Sequence, residues 1–238
     1  MPQPSIMNKF LLRLLALGVL FALSASAAQA AKSFHDKLIA NLQTCEYSLD
    51  VVMSKPETAI PADAVRQAKG VVIVHQYRVG LIFGGQAGTA VMTVRNPHKG
   101  GVWGPPVFLD PGGVTFGLQA GAKEINSVFL LMSDDAVRRA YSGRFELGAD
   151  AIAVAGPRNA EVDNFDLFKA PVLVYTSLGG LYAGAAIKSG WLTPYDKGNR
   201  ALYNTTHSTP EIALSDWFEI PPEAQSIVNK LNAIAGQP

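Results

Sequence analysis

Apolar residues recur at helical spacing in one segment near the start of the chain and at shorter, strand-like spacing through most of the rest. Phe34, Leu38, Leu42, Cys45, Leu49 and Val52 form one stripe, which predicts a helix over 33–53. Ser33 stands where an N-cap is wanted, Asp36 follows three residues later, and Pro56 ends the segment. Pro61, with Asp63 in the first turn, starts a short second helix that Gly70 stops.

From residue 70 to 187 the period changes. Short β-branched or aromatic runs alternate with glycine at 71–75, 81–83, 89–94, 107–109, 114–119, 128–132, 145–154, 172–177 and 181–187. Such runs predict antiparallel strands, with the glycines serving bulges, bends and close backbone approach. One helix interrupts them: Ser133 caps it, Asp134 and Asp135 fill its first turn, Arg138 and Arg139 follow, and Gly143 ends it. Beyond Gly190 the chain reads as polar turns, then Pro221-Pro222 and a final amphipathic helix carrying Ile227, Val228, Leu231 and Ile234. The predicted class is α+β: an antiparallel glycine-rich β-sandwich or barrel flanked by N- and C-terminal helices. The glycine segments keep no fixed period, so no repeat is read.

Composition changes this picture at the N-terminus. Of 238 residues, 48% are hydrophobic and 16% charged, and part of the apolar excess lies in residues 7–30. Lys9 and Arg13 accompany an apolar run that is unbroken from Leu14 to Leu23, and Ala28-Gln29-Ala30 closes the segment. A basic head, an apolar centre too short for the roughly 20 residues of a spanning helix, and an A-x-A end describe a cleavable signal peptide. The expected organisation is therefore a signal peptide over 1–30 and a single domain over 31–238, periplasmic or secreted after cleavage near Ala30. Without residues 1–30, Lys and Arg fall from 20 to 18 against 19 Asp and Glu, a net charge of −1. No global positive field remains, so nucleic acid is not an expected partner, and any grip on phosphate has to be local.

Motifs for catalysis are missing. Gly80, Gly84, Gly85 and Gly88 lack the Lys-Ser/Thr ending of a phosphate loop and the G-x-G-x-x-G spacing of a dinucleotide fold. The histidines His35, His75, His98 and His207 keep no metal-ligand spacing, and no G-x-S-x-G elbow occurs. A single cysteine, Cys45, reads as a packed apolar residue and permits no intramolecular disulfide. The expectation is a non-enzyme without cofactor or metal. His75 is placed at the end of a strand and His98 in the turn 96–101.

Two features suit a lipid surface. The helix 33–53 carries Phe34, Lys37, Leu38 and Leu42 as candidate membrane contacts, although the same stripe would serve to pack on the sheet. Arg138, Arg139 and Arg144 lie within seven residues and could grip a phosphate, or could simply end a solvated helix.

At this point the residues resemble a family, the SYLF domain. Ile60-Pro61-Ala62, Ala68-Lys69-Gly70-Val71-Val72, Arg78-Val79-Gly80 and Trp103-Gly104-Pro105-Pro106 follow its order. So do Gly117-Leu118-Gln119-Ala120-Gly121, Leu147-Gly148-Ala149-Asp150, Gly156-Pro157-Arg158-Asn159 and Gly180-Leu181-Tyr182-Ala183-Gly184, over about residues 60–215. Gly156-Pro157-Arg158-Asn159 is shorter than the family's usual G-P-x-G-R-N.

SYLF domains occur in bacterial envelope proteins and in eukaryotic endocytic proteins, where they bind phosphoinositides and, in yeast actin-patch members, actin filaments. The resemblance implies a lipid-binding, non-catalytic module for phospholipid or a phosphoinositide-like ligand. Lys69, Arg78 and Arg158 match basic family positions and join the candidate lipid contacts. The alternatives are an envelope scaffold that binds another protein, and a hydrolase with an acid or base near His75.

Overall fold

The computed structural model describes residues 32–56, 58–80, 83–116, 121–146, 153–154, 170–177 and 190–236. Helix α1 covers 32–53, so Ser33 lies inside it rather than capping it. It is followed by α2 (Ala62–Gln67), flanked by Pro61 and Ala68. The strands are β1 (Gly70–Gly80), β2 (Phe83–Asn96), β3 (Val102–Trp103), β4 (Val107–Phe116) and β5 (Gly121–Leu131), then β6 (Phe145–Glu146), β7 (Ala153–Val154), β8 (Val172–Thr176) and β9 (Gly190–Pro194). Helix α3 (Asp134–Ser142) separates β5 from β6, and α4 (Asp196–Leu202), α5 (Thr209–Ala213) and α6 (Pro222–Ile234) complete the described chain. The chain divides into two compact units, Met1–Ile39 and Ala40–Pro238. The first holds the opening turns of α1, and the second holds the sheet and the other helices.

Among the described residues the strands form one sheet in the order β6-β9-β4-β2-β1-β5-β8-β7, with β3 paired to β2. Every pairing is antiparallel except β7 with β8. The class is α+β, with a curled antiparallel sheet. Chain length shows why it must curl. The two edge strands, β6 and β7, are joined by the segment from Glu146 to Ala153, seven residue steps that reach at most about 25 Å. Eight flat strands at about 4.8 Å spacing would set the edges about 34 Å apart.

The strands are longer than the glycine punctuation predicts. The run at 107–109 and residues 114–116 of the run at 114–119 belong to one strand, β4, which passes through Pro111, Gly112 and Gly113; residues 117–119 lie outside the described residues. Conversely, 145–154 is not one strand: β6 and β7 lie at opposite sheet edges. The expected strand 181–187 lies outside the described residues. Two glycines are required by close approach. A Cβ on Gly88 would sit 1.9 Å from the His75 carbonyl oxygen, and one on Gly112 would sit 2.7 Å from the Trp191 indole, its ladder partner on β9.

Alternation along β1 sorts the two faces. Val72 and Val74 point into a core with Phe129, Leu109 and Leu192 that α3 (Ala136, Val137, Ala140) and α5 (Ile212, Ala213) cover. Val71, Ile73 and His75 point the other way, toward α1, whose Ser48 meets His75. Helix α6 is tied to α1 by Ser226 Oγ donating to Glu46 Oε1 and by Lys230 bridging Glu46 and Asp50. The region after Gly190, read as turns, instead folds as β9, α4 and α5. Asn199 organises it: its Oδ1 accepts from Phe108 N, and its Nδ2 donates to Phe108 O and Thr209 Oγ1.

Candidate functional site

Under α1 the apolar face of the sheet is interrupted by a polar row. His75 lies mid-strand, directly opposite Asn126 on β5 and Thr89 on β2, and not at a strand end as its neighbours in sequence suggest. Ser48 reaches the row from α1, and Ser48, His75 and Asn126 are all buried. Next along the ladder Tyr77 faces Glu124, and both are exposed, so the row opens to solvent there. The Tyr77 ring meets the His75 ring edge-on at 4.7 Å.

The hydrogen bonds fix who donates. Asn126 Nδ2 donates to Glu124 Oε1 at 3.1 Å, which turns Oδ1 toward Ser48 and His75. An amide oxygen only accepts, so His75 presents Nδ1–H to it at 2.9 Å. The one proton of the Ser48 hydroxyl goes to Asn126 Oδ1 at 2.7 Å or to Thr44 O at 3.0 Å. Nδ1, itself a donor, cannot take that proton although it lies 3.2 Å away. A base for the serine is what a hydrolytic dyad needs, and this imidazole does not turn one toward it.

Cys45, one turn before Ser48, is fully buried, and desolvation pushes its thiol up to about 12 despite contacts with Thr89 and Val91. No group of three or more His, Cys, Asp or Glu residues able to hold a metal occurs among the described residues. None of the described helices is long and apolar enough to cross a membrane.

The candidate cations gather around α3. Ser133 Oγ accepts from Ala136 N and starts the helix, and the first-turn acids draw the cations in. Lys69 Nζ donates to Asp134 Oδ2 at 2.6 Å, while Arg138 Nη1 and Arg139 Nε lie 3.8 Å and 3.4 Å from the Asp135 carboxylate. Arg144 follows the other end of the helix, bridges to Glu146 and stacks 3.7 Å over the Trp191 ring. These four side chains are each 43–65% exposed. Thus Lys69, Arg138 and Arg139 converge, and Arg144 stands apart. Arg78 holds a place on β1 opposite Gln86 and Lys123, with its side chain outside what the structure describes, and Arg158 lies outside the described residues.

Burial differs along the candidate membrane-contact stripe. Leu38 and Leu42 are 1% and 2% exposed, so in this conformation neither is presented to a bilayer. Phe34 is half-buried and Lys37 exposed. Cys45, Leu49 and Val52 continue the stripe, fully buried.

The residues missed by the sequence reading are Ser48, Asn126 and Glu124. Ser48 falls three residues after Cys45 on the apolar stripe, and His75 falls in phase with Val71 and Ile73. A polar residue in phase with a buried stripe was the available signal.

The family model described as Ysc84, Las17-binding protein actin regulator, matches residues 112–234. The chain is 29% identical over 184 residues to Protein YSC84 of Saccharomyces cerevisiae, covering 75% of this chain and 39% of that protein. The same figures hold for LAS seventeen-binding protein 3 of that yeast. It is 28% identical over 151 residues to SH3 domain-containing YSC84-like protein 1 of Homo sapiens, covering 62% of this chain and 44% of that protein. No solved structure matches. The chain belongs to the Ysc84 family, the SYLF proteins that its motifs resemble. It spans about two fifths of the length of these relatives.

Proposed function

We propose that this protein is a non-catalytic binding module that meets phospholipid at the cell envelope, exported by the signal peptide in residues 1–30. The observation that carries the reading is the group Lys69, Arg138 and Arg139, exposed around α3 and paired with the surface acids Asp134 and Asp135. Exposed ion pairs are worth about 0–1 kcal/mol, so a lipid phosphate can take the place of an acid at little cost. The family and one of the yeast relatives are named for binding a protein, Las17, and none of the relatives above carries the name of an enzyme. Co-sedimentation of the full chain with vesicles of phosphatidylcholine, with and without phosphatidylglycerol, tests the reading. Binding that rises with the anionic lipid supports it, and a chain left in the supernatant by both contradicts it.

A second reading is an envelope scaffold for a protein partner. The burial of Leu42, Cys45, Leu49 and Val52 favours it, because it removes the apolar stripe of α1 from any bilayer contact in this conformation.

A further inference from the structure

Asn96, the last residue of β2, is buried and ties two exposed loops together with one side chain. Its Oδ1 accepts from the backbone N–H of His98 at 2.8 Å and Lys99 at 3.2 Å, closing the turn Pro97–Lys99. Its Nδ2 donates to Asp216 Oδ1 at 2.7 Å and to Ser215 O at 3.2 Å, in the segment after α5. Gly100 and Gly101 follow the turn with φ of 71° and 78°, and a Cβ on either would meet nothing within 4 Å. That is a tip surrounded by open space.

Three large apolar side chains stand out of these paired loops. Val102, opposite Asn96 on β3, is 54% exposed, Leu214 is 43% exposed, and Trp217 is 69% exposed. Trp217 has a firm base. Its neighbour Phe218 packs edge-on against Tyr203 and His207, and Phe218 N donates to the buried Ser215 hydroxyl. An ordered tryptophan held out in water is costly unless something covers it. On the same turn His98 and Lys99 make no ion pair among the described residues. Lys69 lies at this end of the sheet too, its carbonyl accepting from Arg95 N, one residue before Asn96.

We infer that these two loops are a bilayer-contact surface, with Trp217 and Leu214 entering the headgroup region and Lys99 reaching phosphate. The chemistry selects lipid. Tryptophan, with an apolar body and one N–H donor, is the side chain favoured at headgroup depth. Lys99 complements phosphate on a flexible stem. The apolar groups sit on separate, protruding loops, which a deformable interface accepts more readily than a rigid protein face. The inference rests on the phospholipid reading above, whose phosphate contact lies on the α3 cations, and adds an apolar contact on the β2–β3 and α5–α6 loops.

The experiment uses the full chain and vesicles of phosphatidylcholine with phosphatidylglycerol. Trp103 is buried and Trp191 is partly buried under the Arg144 guanidinium, so the 69% exposed Trp217 is the tryptophan most open to aqueous acrylamide, and its replacement isolates its share of the quenching. The wild type is expected to show a blue-shifted emission and protection from acrylamide on adding vesicles, and Trp217→Phe to lose most of that change. The double variant Trp217→Ser/Leu214→Ser is expected to weaken vesicle partitioning about tenfold, with unfolding midpoint unchanged because both side chains are exposed. Wild-type binding with Trp217 still quenched, and equal binding by the double variant, would overturn the surface while leaving the phospholipid reading standing. No vesicle binding by the wild type would remove both. Protection of Trp217 by an envelope protein but not by vesicles overturns the surface as a lipid contact.

Discussion

Asn126 stands directly opposite His75 across the β1–β5 ladder, and its amide decides where the imidazole keeps its proton. Glu124 orients the amide, the amide oxygen calls for Nδ1–H, and the Ser48 hydroxyl is left as a donor to oxygen acceptors. The row holds α1 to the sheet. It gives Ser48 Oγ, His75 Nδ1 and the Asn126 amide partners inside the fold and gives the serine no base.

Substitution should therefore read out in stability. Asn126→Leu leaves Nδ1–H of His75 and the Ser48 hydroxyl short of an acceptor in a buried site, at a cost of about 1–3 kcal/mol. Ser48→Ala removes one member and leaves the His75–Asn126 bond, so about 1 kcal/mol is expected. Urea unfolding followed by circular dichroism measures both. Vesicle binding by the folded Ser48→Ala protein should equal the wild type.

The α1–α6 tether should give stability a limb at each end of the pH scale. Burial acts to raise the Glu46 carboxyl, but the Ser226 hydroxyl and Lys230 outweigh it and hold it below the usual range. Its contribution is present above the ordinary glutamate value and is lost as pH falls through the lowered one. Burial acts to lower Lys230, but Asp50 and Glu46 outweigh it and raise it. Its contribution is present below the ordinary lysine value and is lost as pH rises through the raised one. Lys230→Met should shrink both limbs of the urea midpoint; an alkaline limb remains, because burial also raises Cys45, Tyr175 and Tyr203.

Gly88→Ala should be among the most damaging single changes, because the added methyl would meet the His75 carbonyl, part of the β1 backbone, at 1.9 Å. A loss of about 3 kcal/mol or more is expected. Gly143→Ala, where a Cβ meets nothing within 4 Å, is the matched control and should change stability little. Thermal unfolding of the pair checks this.

Cys45, with its thiol pushed up to about 12 by burial, should not react with an aromatic disulfide reagent in the native protein. The single thiol should become titratable on unfolding, and its rate of reaction should follow the rate of opening. Prompt reaction under native conditions would mean that α1 lifts from the sheet.

Legibility in the sequence followed the physics of each signal. The stripe of α1 was readable because six residues share one face, and Ser133 was readable as a cap because a hydroxyl precedes two acids and an apolar run. Strand ends were not. Glycine reads as punctuation in a sequence, yet Gly88 and Gly112 lie inside β2 and β4, where a neighbouring backbone or an indole fills the room of the missing side chain. The α3 cations were legible as charges but not their pairing with Asp134 and Asp135. The polar row escaped because Ser48, His75 and Asn126 come from three distant segments and meet only through strand register. Asn96 and Asn199 escaped for the same reason, since each bonds to backbone about 90–120 positions away.

The central claim is that the cations around α3 meet lipid phosphate, and it is tested most directly by comparing the full chain with Lys69→Glu/Arg138→Glu/Arg139→Glu in co-sedimentation with phosphatidylglycerol-containing vesicles. The account predicts that the wild type binds, that the charge-reversed protein stays folded, and that its partitioning falls about tenfold or more. Equal binding by the two proteins, or none by the wild type, would contradict it.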